Sequence, residues 1–169
     1  MKLKMLLALP AAAILGAGCA KNTSSAGSAP GADIEVSENA HWTANIQPVT
    51  QSRGDVAQST RDKSYGNFTW SHGATPSISS FNLVFNYAGQ ERFLSWAIVA
   101  GSCGTPSLPI LPASNFPELN VGSGGRSQSN GTLSLDLPTN GSYHVDVYRS
   151  RTQGLDTLVG CGNLKFVNK

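Results

Sequence analysis

The stretch Thr132-Leu133-Ser134-Leu135-Asp136-Leu137-Pro138-Thr139-Asn140-Gly141-Ser142-Tyr143-His144-Val145-Asp146-Val147-Tyr148 decides how the chain is read. Its first six residues alternate polar and apolar. In an extended chain successive side chains point to opposite sides, so the three leucines share one face. Pro138 and Asn140-Gly141 then supply turn chemistry, proline by fixing one backbone angle and Asn-Gly by tolerating positive φ. The run 143–148 alternates in return, with Tyr143, Val145 and Val147 facing inward and His144, Asp146 and Tyr148 facing outward. The pattern predicts a β-hairpin with one buried and one open side.

The same period recurs upstream. Phe81, Leu83, Phe85 and Tyr87 share a face of one strand, and Leu94, Trp96, Ile98 and Ala100 share a face of the next, with a turn over 87–92 between them. Further candidate strands are 43–49, 55–61, 67–72 and a last one that begins at 156–159 and continues past Cys161 towards Phe166. No segment carries helical periodicity, and without crossover helices a parallel sheet is excluded. Seven or eight short strands at this spacing predict an all-β fold, an antiparallel Greek-key β-sandwich or flattened barrel. Residues 104–131, with four prolines and Gly122-Ser123-Gly124-Gly125, read as one long irregular loop with a packing or functional role. Its glycines make no phosphate cradle, because no helix N-terminus follows to receive an anion.

The N-terminus has the form of a lipoprotein leader over 1–18. Lys2 and Lys4 precede an apolar run over 5–18, and small residues lead to Cys19, the expected lipid attachment site. Gly16 stands where an aliphatic residue is usual, so a plain secretory signal cut after Ala20 is the alternative. The run is short of the roughly 20 residues a membrane-spanning helix needs, and Pro10 interrupts it. Several acyl chains on Cys19 would exceed the two-signal threshold for stable anchoring. Ala20, rather than an aspartate, favours an outer membrane if the host has one. Residues 19–32, almost all small and polar, read as a flexible tether, and 33–169 as the folded domain. The expected location is outside the cytoplasm, lipid-anchored to the cell envelope.

Charge narrows the partners. The chain has 12 Lys and Arg against 10 Asp and Glu, and loss of Lys2 and Lys4 with the leader leaves a neutral product. Basic residues are scattered singly, which excludes a nucleic-acid footprint or a polybasic membrane patch. The expected contacts are the membrane, through the lipid, and an envelope protein.

With Cys19 acylated, Cys103 and Cys161 are an even pair in an exported domain, where a disulfide is the leading reading and two separate thiols the alternative. They stand far apart, without the close cysteines or histidines that a zinc site uses. A bridge would pin the root of the long loop to the last strand. A loop of this span contributes about 4 kcal/mol in the chain-entropy treatment.

Gly101-Ser102-Cys103-Gly104 after a strand, the proline-rich loop, the run 140–148 and Val159-Gly160-Cys161-Gly162-Asn163-Leu164 together resemble the copper/zinc superoxide dismutase-like domains of bacterial envelope proteins, over residues 42–166. Chordin-type domains fit the strand pattern but less well the two cysteines. The resemblance implies a β-sandwich with an intrasubunit disulfide at Cys103 and Cys161. In metal-binding members it also implies a His-x-His pair before the first cysteine and a histidine on the hairpin strand. Here those positions hold Ala97, Val99 and Tyr148, all on the face opposite Trp96, Ile98, Val145 and Val147. Copper requires several converging imidazoles. The long loop has no histidine and only Glu118 as a carboxylate.

The expectation is therefore a non-catalytic binding or structural module with no metal and no cofactor. The runner-up is a copper/zinc redox protein that recruits His72 or His144 with carboxylates such as Asp146. A third reading is partner recognition through the long loop and an outward face formed by Ala97, Val99, His144, Asp146 and Tyr148. His41, His72 and His144 read as solvated surface imidazoles. His144 and Asp146 are the one pair on a shared face, with no serine or cysteine nucleophile placed beside them. Trp96 reads as core; Trp42 and Trp70 are candidates for exposed ligand platforms.

Overall fold

Alternating side chains build an antiparallel sheet that curls nearly onto itself. The computed structural model describes residues 36–49, 64–151, 153–154 and 157–169. The leader, Cys19, the tether and the candidate strand 55–61 lie outside the described residues.

The strands are β1 (His41–Pro48), β2 (Tyr65–His72), β3 (Ser79–Asn86), β4 (Phe93–Ala100), β5 (Leu119–Asn120), β6 (Arg126–Leu133), β7 (Tyr143–Tyr148), β8 (Leu158–Asn163) and β9 (Lys165–Val167). They are hydrogen-bonded in the order β5-β4-β7-β8-β1-β2-β3-β6, with β9 also on β1. β5 adjoins β6 through a tight turn in which the Gly122 amide donates to the Arg126 carbonyl at 3.0 Å, so the two ends of the sheet nearly meet. Every ladder is antiparallel. The connections β3 to β4 and β6 to β7 each skip two strands, which makes the flattened barrel a Greek key.

Two expectations about pairing are corrected. The stretch 132–137 does not form a hairpin with 143–148: β6 pairs along its whole length with β3, while β7 lies between β4 and β8. Residues 134–137 leave the sheet, where Leu137 is buried, and the indole nitrogen of Trp42 donates to the carbonyl of Pro138. Alternation determines which side chains are buried but not which strand comes alongside, and here it also serves a turn packed over the barrel.

The long loop is also shorter than read. Within 104–131 the chain forms β5 and most of β6. β6 hides from an apolar pattern because large aromatic rings on β3 fill its side of the barrel. An added Cβ at Gly131 would lie 3.3 Å from the Phe81 ring, and Ser127 is buried, donating to the Phe85 carbonyl at 2.9 Å.

Trp96 is core, as expected, packed against Phe68, Phe81 and Phe116 with ring centroids 5.6, 4.8 and 4.9 Å away. Trp42 and Trp70 are buried as well and are not platforms. Both meet the Tyr143 ring edge-on, at 5.4 and 6.0 Å. The Trp70 indole donates to Ser79 Oγ at 2.7 Å, so its polar edge is satisfied in the core.

Gly160 on β8 faces the same interior, opposite Val147. A Cβ there would come 2.9 Å from both Ile46 Cγ2 and Phe85 Cε2. Gly160→Ala is therefore expected to lower stability by about 1–3 kcal/mol through overpacking, read from the urea midpoint. An unchanged midpoint would show that the barrel can widen.

Candidate functional site

Cross-strand register assembles the site. Ala97 lies opposite Asp146, which lies opposite Cys161; Val99 lies opposite His144, which lies opposite Asn163; Ser95 lies opposite Tyr148. Side chains directly opposite across a ladder project from the same face. The proposed outward face is thus a real sheet face, but it is not open. Ala97, Val99, His144, Asp146 and Tyr148 are all buried, His144 to 1% exposure.

This corrects two expectations: His144 is not a solvated imidazole, and these five residues are not available to a docking partner. The cause is a second layer. After β4 the chain reverses at Gly101, whose φ of +94° suits glycine, and brings Cys103 back over the sheet. Cys103 is bridged to Cys161 with Cα atoms 5.9 Å apart, and its amide donates to Asn163 Oδ1 at 2.8 Å. The Ile110 amide adds to the edge of β4, donating to the Ile98 carbonyl at 2.9 Å, and Gln153 Nε2 donates to the Trp96 carbonyl at 3.1 Å. The disulfide read from the even cysteine pair is present.

Beneath this cover lies a small polar group. Tyr148 donates its hydroxyl to Asp146 Oδ2 at 3.0 Å, and His144 Nε2 stands 3.4 Å from the same oxygen. The other atoms of the pair, His144 Nδ1 and Asp146 Oδ1, are buried without a hydrogen-bond partner. Burial alone draws the His144 pKa down. The hydrogen bond and charge of Asp146, with a contribution from the Gly101 backbone, outweigh that and leave it raised. Burial first, then the charge and hydrogen bond of Asp146, push Tyr148 well up, so it remains a phenol donor.

Register also brings in a sulfur. One ligand atom each from His144, Asp146 and Cys161 lie within 4.8 Å of one another, the one such cluster of three among the described residues. Sequence reasoning missed it because Cys161 is far from His144 in the chain. The shared face of His144 and Asp146 was legible; that β8 would bring a cysteine opposite Asp146 was not. The other imidazoles do not converge here: His41 Nδ1 lies 2.8 Å from the Asn39 carbonyl, and His72 is exposed at the end of β2. Glu118 pairs with Arg151 on the surface, an arrangement that contributes little. Beside the bridge runs a groove of about 840 Å³ bounded, among the described residues, by Asn45, Gln47, Asn163, Lys165 and both bridged cysteines.

Compared with protein-family models, with curated proteins and with solved structures, the chain gives no match in any of the three.

Two outcomes follow from this geometry. Replacing Cys103 and Cys161 by serine is expected to cost about 2–5 kcal/mol of folding stability in urea, as for other small domains that lose a bridge. The folded state holds the His144 proton more tightly than the unfolded chain, whose value is 6.5. Protonation therefore stabilises the fold; the contribution is complete below the unfolded value and is lost as pH rises through the higher folded one. The urea midpoint of the oxidised protein should fall as pH climbs above 6.5. His144→Gln should flatten that fall, and a midpoint that rises instead would contradict the assignment.

Proposed function

We propose that this chain is a non-catalytic module of the cell envelope, anchored by acyl chains on Cys19 and serving a binding or structural role. In this reading it is a superoxide dismutase-like domain whose metal ligands have been replaced. The observation that carries it is the packing at the three positions where the resemblance would place ligands. Ala97 and Val99 are buried hydrocarbon, and Tyr148 is committed to Asp146. Neither aliphatic side chain can coordinate copper, and a phenol held as donor to a carboxylate does not replace an imidazole.

Two further observations support the reading. The Greek-key barrel is the architecture the resemblance implies. A disulfide spanning 58 residues suits an oxidising compartment outside the cytoplasm. The copper/zinc redox alternative needs several imidazoles around one point, whereas His41 and His72 stand on strands away from His144. For an envelope partner, contact moves off the covered face to the loop after β4, where Leu108 is 85% exposed.

In a bacterial host the full chain is expected to enter the detergent phase on Triton X-114 partition, and Cys19→Ala to remain aqueous. Wild-type protein found in the aqueous phase would remove the anchor. Protein purified after growth with copper and zinc should consume superoxide no faster than buffer; catalytic turnover would overturn the non-catalytic assignment.

A further inference from the structure

We propose that the Cys161 sulfur serves two exclusive states: the disulfide to Cys103, and, once that bond is reduced, a zinc site formed by His144, Asp146 and Cys161 with Cys103 as the fourth ligand. The three ligand atoms already lie within 4.8 Å of one another; Cys103 Sγ, bonded to one of them, stands outside that cluster and would join it only once the bond is broken. Imidazole, carboxylate and thiolate are all zinc ligands, and four of them suit its tetrahedral preference.

A second, independent observation points to a ligand. The side chains of His144 and Asp146 are 2% and 6% exposed, yet Asp146 Oδ1 has no hydrogen-bond partner and the His144 ring has, besides Asp146, only an interaction with the Gly101 backbone. Buried polar atoms in native structures are nearly always satisfied, and an idle carboxylate oxygen on a residue clustered with an imidazole and a sulfur is what a donor set looks like without its cation. Tyr148, donating to Asp146 Oδ2, occupies the place of an outer partner that orients a ligating carboxylate. These residues are not the ones the dismutase resemblance would use, since those positions are Ala97, Val99 and Tyr148.

The chemistry balances with a dithiol as reductant. Thiol–disulfide exchange passes two electrons and two protons from the dithiol to the Cys103–Cys161 bond, leaving two protein thiols and the oxidised, cyclic reductant. Zinc then displaces to solvent one proton from each thiol and, where His144 is protonated, the imidazolium proton as well, so that Asp146 binds as carboxylate and His144 through a neutral nitrogen. A disulfide oxidant accepts two electrons from the two thiolates and, with two protons from solvent, becomes a dithiol; the bridge re-forms and Zn²⁺, having lost both sulfur ligands, is released. The groove beside the bridge is lined by both cysteines and so reaches the sulfur side of the site, though not His144 or Asp146. Cys103 lies on the turn that covers the site, so breaking its bond frees that cover.

The test uses the full chain in its oxidised form and after dithiothreitol followed by anaerobic desalting, titrated with Co²⁺ as a spectroscopic stand-in for zinc. The reduced protein is expected to take up one equivalent with a thiolate-to-cobalt charge-transfer band, displaced by Zn²⁺, and the oxidised protein to show none. His144→Gln and Asp146→Asn should each weaken reduced-state binding by roughly tenfold or more. Cys103→Ser, which frees Cys161 without any reductant, should bind with a weaker thiolate band. If the reduced chain loses its near-UV circular dichroism, zinc should restore the signal of the buried tryptophans. The proposal is overturned by a reduced protein that takes up no cobalt, by uptake without a thiolate band, by histidine and aspartate variants that bind as wild type, or by a reduced, unfolded chain that zinc does not refold. None of these outcomes bears on the Cys19 anchor, whose failure is read separately by phase partition.

Discussion

The covalent bridge between Cys103 and Cys161 is the constraint on which the rest of this molecule turns. A sheet face in an antiparallel barrel is ordinarily free to meet water. Here the bridge draws the turn after β4 down onto β8, and the face of β4, β7 and β8 becomes an interior. Two opposing terms follow. Covering Ala97 and Val99 removes apolar surface from water and is favourable. Covering His144 and Asp146 strips two polar groups of their hydration, and each atom left without a partner costs about 1–3 kcal/mol. The disulfide acts on neither term directly; it limits the unfolded ensemble and holds the cover in place while the two terms compete.

The barrel interior obeys a matching rule of volumes. Phe81, Phe85 and Trp96 carry large rings into a narrow space, and the strands facing them answer with the buried Ser127 and Gly160. Close packing leaves no room for both partners to be large. That is why Ser127 stands where a larger side chain would not fit, while the exposed Gln128 and Asn130 complete a strand that propensity would assign to a loop. Its place in the sheet is secured by the full ladder to β3 rather than by its own side chains.

The faces of individual strands were therefore legible, and the partnerships were not. Alternation located β3, β4 and β7 and put Phe81, Leu83, Phe85, Trp96, Ile98, Val145 and Val147 inside, where they lie. It could not say that β6 would leave β7 for β3, because a period of two is indifferent to the neighbour. It misread the polar side of β7 as solvent-facing, because a strand records polarity and not whether a second layer will cover it. Trp42 and Trp70 were ambiguous for a related reason: an indole has an apolar body and one donor. Only the positions of Pro138 and Ser79 reveal that both donors are satisfied inside. The cysteine pair was legible because, with Cys19 read as a lipid site, two cysteines are left, and their pairing is a matter of count rather than of topology.

What joins these points is that His144 and Asp146 are retained where apolar residues would pack more cheaply. Replacing a buried ion pair by hydrocarbon of similar volume is often neutral or stabilising. Their neighbours in the same rows, Ala97 and Val99, show that this layer accepts hydrocarbon readily. A pair kept for packing alone would also be expected to close its hydrogen bonds, yet Tyr148 and His144 both engage one carboxylate oxygen and leave the other idle. The sulfur whose bond closes the site lies within 4.8 Å of one ligand atom each of His144 and Asp146. An arrangement that is suboptimal as a core, and suboptimal as a hydrogen-bonded network, becomes consistent once it is read as a donor set that the disulfide keeps shut.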